Sequence, residues 1–335
     1  MTKQKPRIAF IGTGGTISFK GRHSLDVWEY MDHGTLITVS EILAHFPEVT
    51  ETVDIVPFDF RRVESTDLQP QDWHELVEKI NGVEKSDDTI DGIVVTHGTA
   101  SLEETAYFLH LTVKTSLPVV VIGAQRPSSG FATDAGSNLL AAVRTAASKE
   151  ARGLGVVTIL NEEIQCARDV TKGSTLRLEA FRTPDLGMLG YADPDGTTAI
   201  YRKPARPHTA DTEFDLGKVA EFPRVDIAAS YAGADGAAID AAVAAGAKAI
   251  VISGFAPGLL TPAQWEAVER AQAQDVLIII SSRAGSGRVI RRETMQKSGI
   301  VAADNLNPQK ARVLALLALT QSTDPDDVQR MFDTY

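Results

Sequence analysis

A single cysteine, Cys166, stands among the 335 residues of this chain, so it can form no intrachain disulfide and no cysteine-based zinc site. There is also no apolar stretch near the roughly 20 residues that a membrane span requires. Basic residues are in deficit: 33 Lys and Arg against 44 Asp and Glu give a formal net charge of -11. That balance argues against nucleic acid and anionic membranes as partners. It leaves a small-molecule substrate open, because the charge of a site and the charge of a chain are separate matters. His23, His33 and His45 are scattered without metal-ligand spacing, so no metal is expected. A Gly-x-Ser-x-Gly elbow is missing, which excludes the ordinary serine-hydrolase arrangement. The apolar run from Ile8 to Gly12 is too short for a signal peptide and lacks a cleavage site, so a cytoplasmic protein is expected.

Short apolar runs alternate with helical patterns along the chain. Buried strands are expected at Arg7 to Ile11, Gly92 to Val95, Pro118 to Gly123 and Val156 to Leu160, with an edge-like strand from Asp54 to Phe60. Helices are expected from Ser40 through Leu43, Gln71 to Ile80, Leu102 to Thr112, and Asp134 through Ser148. Ser101 and Glu104 have the spacing of a capping box. Residues 19 to 34 are polar and mixed and read as a flap. Residues 203 to 224, with Pro204, Pro207 and Pro223, carry no periodicity. Beyond them the alternation resumes, from Val225 to a last helix over Pro308 to Thr320. This spacing indicates parallel β-α-β units. The reading is two α/β domains built on parallel sheets: a larger N-terminal domain over residues 1–205, a linker over 206–224, and a smaller C-terminal domain over 225–335. The second is poor in reactive side chains, which suits an oligomerisation or lid role.

Each polar cluster of the first half follows a strand: Thr13 and Thr16; Ser65 and Thr66; Thr96, His97 and Thr99; Gln125, Arg126 and Ser128. In a parallel sheet these turns converge on the carboxyl edge, where ligands bind in open α/β folds. Hydroxyls dominate the set. A hydroxyl nucleophile needs a base, and a tyrosine or a lysine of depressed pKa can serve where no His/Asp pair exists. Lys172 is the lysine that follows a strand, and backbone N–H groups of glycine-rich turns can supply oxyanion donors. At the first cluster the sequence leaves Thr13 and Thr16 both open. His97, between Thr96 and Gly98, reads more readily as a structural hydrogen bonder than as a catalytic base. Gly12 to Thr16 also suggests a nucleotide site, although the glycine spacing departs from G-x-G-x-x-G.

These residues resemble the bacterial-type asparaginase/glutaminase family of amidohydrolases. The resemblance rests on Thr13-Gly-Gly-Thr-Ile, on Thr96-His-Gly-Thr with Glu103-Glu-Thr-Ala-Tyr, on Gly123-Ala-Gln-Arg-Pro-Ser, on Arg168-Asp-Val-Thr-Lys, and on Leu306-Asn-Pro-Gln-Lys-Ala-Arg with Leu319-Thr-Gln. It runs nearly end to end. It implies hydrolysis of a linear amide without a cofactor, and a homotetramer built as a pair of intimate dimers with sites at the intimate interface. Thr16 matches the nucleophile that forms an acyl-enzyme, and Tyr30 the flap tyrosine that helps deprotonate it. Thr99 and Lys172 match the pair that activates water or relays protons. Ser65 and Gly98 match the groups that bind the substrate α-carboxylate, and the Ala124 carbonyl would hold the leaving amide nitrogen.

The departures concern one part of the substrate. The family's aspartate after the second threonine, which binds the α-ammonium, is Ala100 here, and the glutamine beside the carboxylate-binding serine is Thr66. Where a glutamate should reach across from a partner subunit, Gly287 to Glu293 carries arginines, with Glu293 a neighbour. An Asn-bearing turn is replaced by Gly254 to Gly258. A buried ammonium deprived of its carboxylates loses charge-assisted bonds of about 1.5–3 kcal/mol each, roughly a hundredfold in affinity for two. The expected substrate is therefore a carboxylate-bearing amide or lactam lacking the α-amino group, with a larger or anionic tail facing Arg283, Arg288 or Arg292. The alternatives are a true L-asparaginase with a compensating acid, from Glu293 or the flap, and a non-catalytic small-molecule-binding protein on the same scaffold.

Overall fold

The computed structural model describes residues 5–335. The chain divides into two units, the first ending at Thr212 and the second spanning Glu213–Tyr335.

The first unit begins with β1 (Arg7–Gly14). The excursion that follows holds β2 (Phe19–Lys20), the single turn α1 (Tyr30–His33) and β3 (Thr35–Leu36), with β2 and β3 paired antiparallel. Next come α2 (Val39–His45), α3 (Glu48–Thr52), β4 (Asp54–Val63), α4 (Pro70–Ser86), β5 (Gly92–Thr96) and α5 (Leu102–Thr112). They are followed by β6 (Val119–Ile122), α6 (Ala135–Ala147), β7 (Val156–Leu160) and β8 (Glu163–Cys166). The last strands are β9 (Thr171–Lys172), β10 (Phe181–Arg182), β11 (Gly190–Ala192) and β12 (Thr198–Ile200).

One sheet carries the unit, in the order β12-β11-β8-β7-β6-β5-β1-β4. From β7 to β4 the neighbours are parallel, as the alternating pattern predicts. Helices cover both faces of this part, so β5, β6 and β7 are Val/Ile-rich runs, buried throughout. β8, β11 and β12 extend the sheet antiparallel, a feature the sequence pattern did not announce because these strands are short and mixed. β4 lies at the opposite edge, where Pro57 costs the sheet no ladder bond on its outer side.

Two helix starts differ from expectation. α2 is capped by Thr38 rather than Ser40: Thr38 Oγ1 accepts from Glu41 N at 3.2 Å, and Glu41 Oε2 accepts from Thr38 N at 2.8 Å. The Ser101/Glu104 box does not form, since no side-chain cap bond is present at Ser101. Its hydroxyl instead donates to Ser65 O at 2.7 Å, joining the loop after β5 to the loop after β4. The start of the segment read as a linker is tied to α5 and the turn after it, with Thr212 Oγ1 bonded to Leu111 O at 2.5 Å and Lys114 Nζ to Thr209 O at 2.8 Å.

The second unit repeats the parallel plan with β13 (Val225–Ala229), α7 (Ala237–Ala244), β14 (Ala249–Gly254), α8 (Pro262–Gln272), β15 (Leu277–Ser282), α9 (Glu293–Lys297), β16 (Val301–Ala302), α10 (Pro308–Ala318) and α11 (Pro325–Thr334). Its sheet runs β13-β14-β15-β16, all parallel. Ile250, Ile252, Ile278 and Ile280 form the centre of its core. Among the described residues no helix is long and apolar enough to cross a membrane.

Candidate active site

The carboxyl ends of β4, β1, β5 and β6 lie side by side, because Gly12 pairs with both Asp59 and Thr96, and Thr96 with Ile122. The turns that leave them therefore meet at one sheet edge. Gly98 and Ser65 nearly touch there: a Cβ added to Gly98 would lie 2.6 Å from Ser65 Oγ.

The structure separates the two threonines that the sequence left open. Thr13 is buried, and its hydroxyl donates to Thr96 O at 2.8 Å, so it serves the packing of β1 on β5. The Thr16 hydroxyl lies 2.9 Å from Tyr30 OH. α1 supplies that tyrosine, whose ring meets Phe19 edge to face at 5.3 Å between centroids. Burial pushes the Tyr30 phenol above its ordinary pKa, the bond with Thr16 opposes this, and the charges of Glu64 and Asp134 add to the rise.

The second pair comes from the loop after β5 and from β9. Lys172 Nζ donates to Thr99 Oγ1 at 2.8 Å. β9 pairs with β10, placing Lys172 opposite Phe181, which fixes the backbone behind the ammonium. Burial holds the Lys172 pKa below its usual value, and the carboxylate of Glu103 opposes that shift. Glu103 is buried in the first turn of α5, with Oε1 accepting from Lys172 N at 3.3 Å. Sequence places Glu103 in a resemblance motif without a role of its own, because an acid at a helix N-terminus reads first as a partner of the helix dipole.

Both pairs open on one cavity of about 460 Å³. Its wall includes Thr16, Tyr30, Ser65, Thr66, Gly98, Thr99, Ala100 and Lys172, so eight of the nine expected site residues are brought together. The ninth, Ala124, is buried at the end of β6 and does not line the cavity, whereas its neighbour Gln125 does. Asp134 holds this turn: its carboxylate accepts from Gln125 N at 2.9 Å, Arg126 N at 3.0 Å and Asn138 Nδ2 at 3.1 Å. Sequence alone places Asp134 at a helix start, and the structure gives its side chain no capping bond there. Glu64, beside Ser65, is the one carboxylate among the described lining residues.

His97 is fully buried, with Nδ1 2.8 Å from Gly98 O, and burial lowers its pKa to about 4. It is absent from the cavity wall, so its part is structural. Behind Gly12 to Thr16 stands only a three-residue 3-10 turn, Thr16–Ser18. A dinucleotide fingerprint needs a true helix N-terminus to receive the pyrophosphate, so that reading fails. No cluster of metal-binding side chains occurs among the described residues.

Two of the three flap acids are engaged elsewhere, Arg22 pairing with Asp26 at 3.2 Å and Glu29 at 2.6 Å. In the second unit Glu293 pairs with Lys297 at 2.6 Å, and Arg288 with Asp304 at 2.7 Å. Arg283 donates to Ser230 O at 3.2 Å and lies over Phe255. Arg292 lines a separate cavity of about 330 Å³ with Leu259, Trp265 and Met295.

The chain is similar to known proteins over nearly its whole length. Residues 7–206 match the family model described as asparaginase, N-terminal, and residues 224–332 match the glutaminase/asparaginase C-terminal domain. The chain is 38% identical to L-asparaginase 2 of Bacillus subtilis, across 99% of this chain and 88% of that one. It is 37% identical to the glutaminase-asparaginase of Pseudomonas fluorescens, across 100% and 92%. Among solved structures, a probable cytoplasmic L-asparaginase from Campylobacter jejuni superposes with a TM-score of 0.94 at 36% identity, covering 99% of this chain and 100% of that chain. With matched family models over most of its length, the chain belongs to the asparaginase/glutaminase family of amidohydrolases.

Proposed function

We propose that this protein hydrolyses a carboxamide through a threonine nucleophile, and that its substrate is not read through an α-ammonium at residue 100. The observation that carries the reading is the pair of activated hydroxyls facing one cavity, Thr16 with Tyr30 at 2.9 Å and Thr99 with Lys172 at 2.8 Å.

Thr16 Oγ1 attacks the amide carbonyl and gives its proton to Tyr30 OH as the phenol passes its own proton on toward the amide nitrogen. The tetrahedral intermediate collapses with protonation of the nitrogen, ammonia leaves, and an ester on Thr16 remains. Water then attacks that ester. Its proton moves to Lys172 through Thr99, and the free acid departs with the Thr16 hydroxyl restored. A lysine whose pKa is held down by burial has a larger neutral fraction near pH 7, the form able to accept that proton. Gly15 N is committed to Val63 O at 3.0 Å. The oxyanion donors are then other turn amides, near Gly98 and Thr99.

Ser65 and Gly98 bind the substrate carboxylate in this reading. Beside them a methyl group, Ala100, and a hydroxyl, Thr66, also line the cavity, at the positions that the family resemblance assigns to ammonium binding. No flap carboxylate is among the described lining residues, and the one acid there, Glu64, sits beside Ser65 rather than at residue 100. Assembly as a homotetramer and a cytoplasmic location complete the proposal, supported by the family likeness.

Ammonia release from asparagine, glutamine and succinamate tests the proposal. Succinamate should be turned over with a higher kcat/KM than asparagine, and Thr16→Ala should abolish both activities. Efficient asparagine turnover would defeat the substrate assignment. Ligand-dependent rises in melting temperature without turnover of any amide would favour the binding-protein reading.

A further inference from the structure

Large apolar side chains usually leave water, and contiguous exposed patches of them mark binding surfaces. In this chain Val27, Trp28, Met31 and Leu176 are 37%, 59%, 43% and 62% exposed, and all four line the cavity that contains Thr16 and Lys172. Val27, Trp28 and Met31 flank Tyr30 on the flap, while Leu176 follows β9, which ends at Lys172, in the same segment. The apolar groups thus belong to the same short segments as the reactive ones.

The flap that presents them is tied down rather than loose. Gly21 N donates to Ser129 Oγ at 2.8 Å, Phe131 N donates to Ser24 O at 2.6 Å, and Arg22 bridges Asp26 and Glu29. A cavity of about 460 Å³ lies within the roughly 300–1,000 Å³ of pockets that hold drug-sized ligands. Asparagine and succinamate are far smaller than such ligands and would leave the flap wall wet.

We propose that the natural substrate bears an apolar substituent on the carbon next to its carboxylate, seated against Val27, Trp28, Met31 and Leu176. This rests on the amidohydrolase reading, because that reading puts the carboxylate at Ser65 and Gly98, and Ala100 lies only two residues beyond Gly98. A carboxylate at residue 100 would repel such a group; the methyl of Ala100 admits it. The substrate class is a 2-alkyl or 2-arylalkyl succinamate or a close homologue, in place of an α-amino acid amide.

The test separates binding from turnover by using the dicarboxylic product analogues. Succinate, methylsuccinate, ethylsuccinate, propylsuccinate and benzylsuccinate are titrated calorimetrically into the full-length protein. Affinity should rise about fourfold per added methylene if each is buried at about 0.8 kcal/mol. The slope should flatten in Trp28→Ala and in Leu176→Ala, whose exposed positions should leave the melting temperature unchanged. Trp28 emission should shift to the blue with benzylsuccinate and not with succinate, a change absent from Trp28→Phe. A flat or falling series in the wild type, or a slope that survives both alanine variants, overturns the proposal. If the series rises while no succinamate releases ammonia, the amidohydrolase reading fails and the apolar subsite stands. If succinamate releases ammonia while the series is flat, only the apolar subsite is lost.

Discussion

Gly15 and Gly98 stand against each other at the sheet edge: a Cβ on Gly15 would lie 2.1 Å from Gly98 Cα and 2.3 Å from Gly98 N. Gly15 also has φ 75°, in the left-handed region that side chains resist. This contact presses the turn bearing Thr16 onto the turn bearing Thr99. Gly15→Ala should therefore cost about 1–3 kcal/mol from overpacking on top of backbone strain, together with most of the activity. Gly153→Ala, with φ 74° but nothing within 4 Å of the added Cβ, isolates the strain alone. Denaturant unfolding and ammonia release for both variants give the comparison. Equal losses would mean that the close approach has no part in the site.

Glu103 should set the pH at which Lys172 becomes a base. Its negative charge favours the ammonium, and burial favours the neutral amine. Glu103→Gln keeps an oxygen for Lys172 N but removes the charge, so the Lys172 pKa falls further. The ascending limb of the kcat/KM profile should then move to lower pH. A limb that stays in place, or moves up, would show that Lys172 does not govern it.

His97 should be a source of acid sensitivity. Its folded-state pKa of about 4 lies below the 6.5 of an exposed imidazole, since full burial penalises the cation. Between those values the unfolded chain binds a proton that the folded chain refuses. Stability is present above pH 6.5 and is lost as the pH falls toward 4, by roughly 3 kcal/mol for this group. Replacing it by Asn keeps a donor for Gly98 O. The unfolding free energies of wild type and His97→Asn should therefore converge as the pH is lowered through that window; a constant difference would contradict this.

Ala100→Asp should return an ammonium-reading carboxylate to the cavity wall. One charge-assisted bond is worth about 1.5–3 kcal/mol, so kcat/KM for asparagine should rise by roughly tenfold to a hundredfold relative to succinamate. Measuring both substrates on one preparation removes errors in active-enzyme concentration. An unchanged ratio would mean that residue 100 does not face the substrate's amino group.

Much of the first unit was legible from sequence. The Val/Ile runs of β5, β6 and β7 can only be buried parallel strands, and the hydroxyl-rich turns after them had to reach one edge. The antiparallel strands β8, β11 and β12 escaped notice because short mixed segments take their pairing from neighbours. Helix caps at Thr38 and Ser101 depended on which hydroxyl the tertiary fold had already claimed: Ser101 is drawn to Ser65 O, and no local rule records that.

The sequence by itself determined the alternating β-α-β plan, the family resemblance and the set of turns that carry reactive groups, since hydrophobic period and turn chemistry are local properties. Only the tertiary structure decided that Thr13 spends its hydroxyl on Thr96 O while Thr16 keeps its own for Tyr30. It also decided that Asp134 clamps the Gln125 turn, that Glu103 stands behind Lys172, and that four exposed apolar side chains share the cavity with Ala100. Hydrogen-bond geometry and burial are set by segments distant in the chain. A residue's type states what it can do; its neighbours in space select which of those things it does.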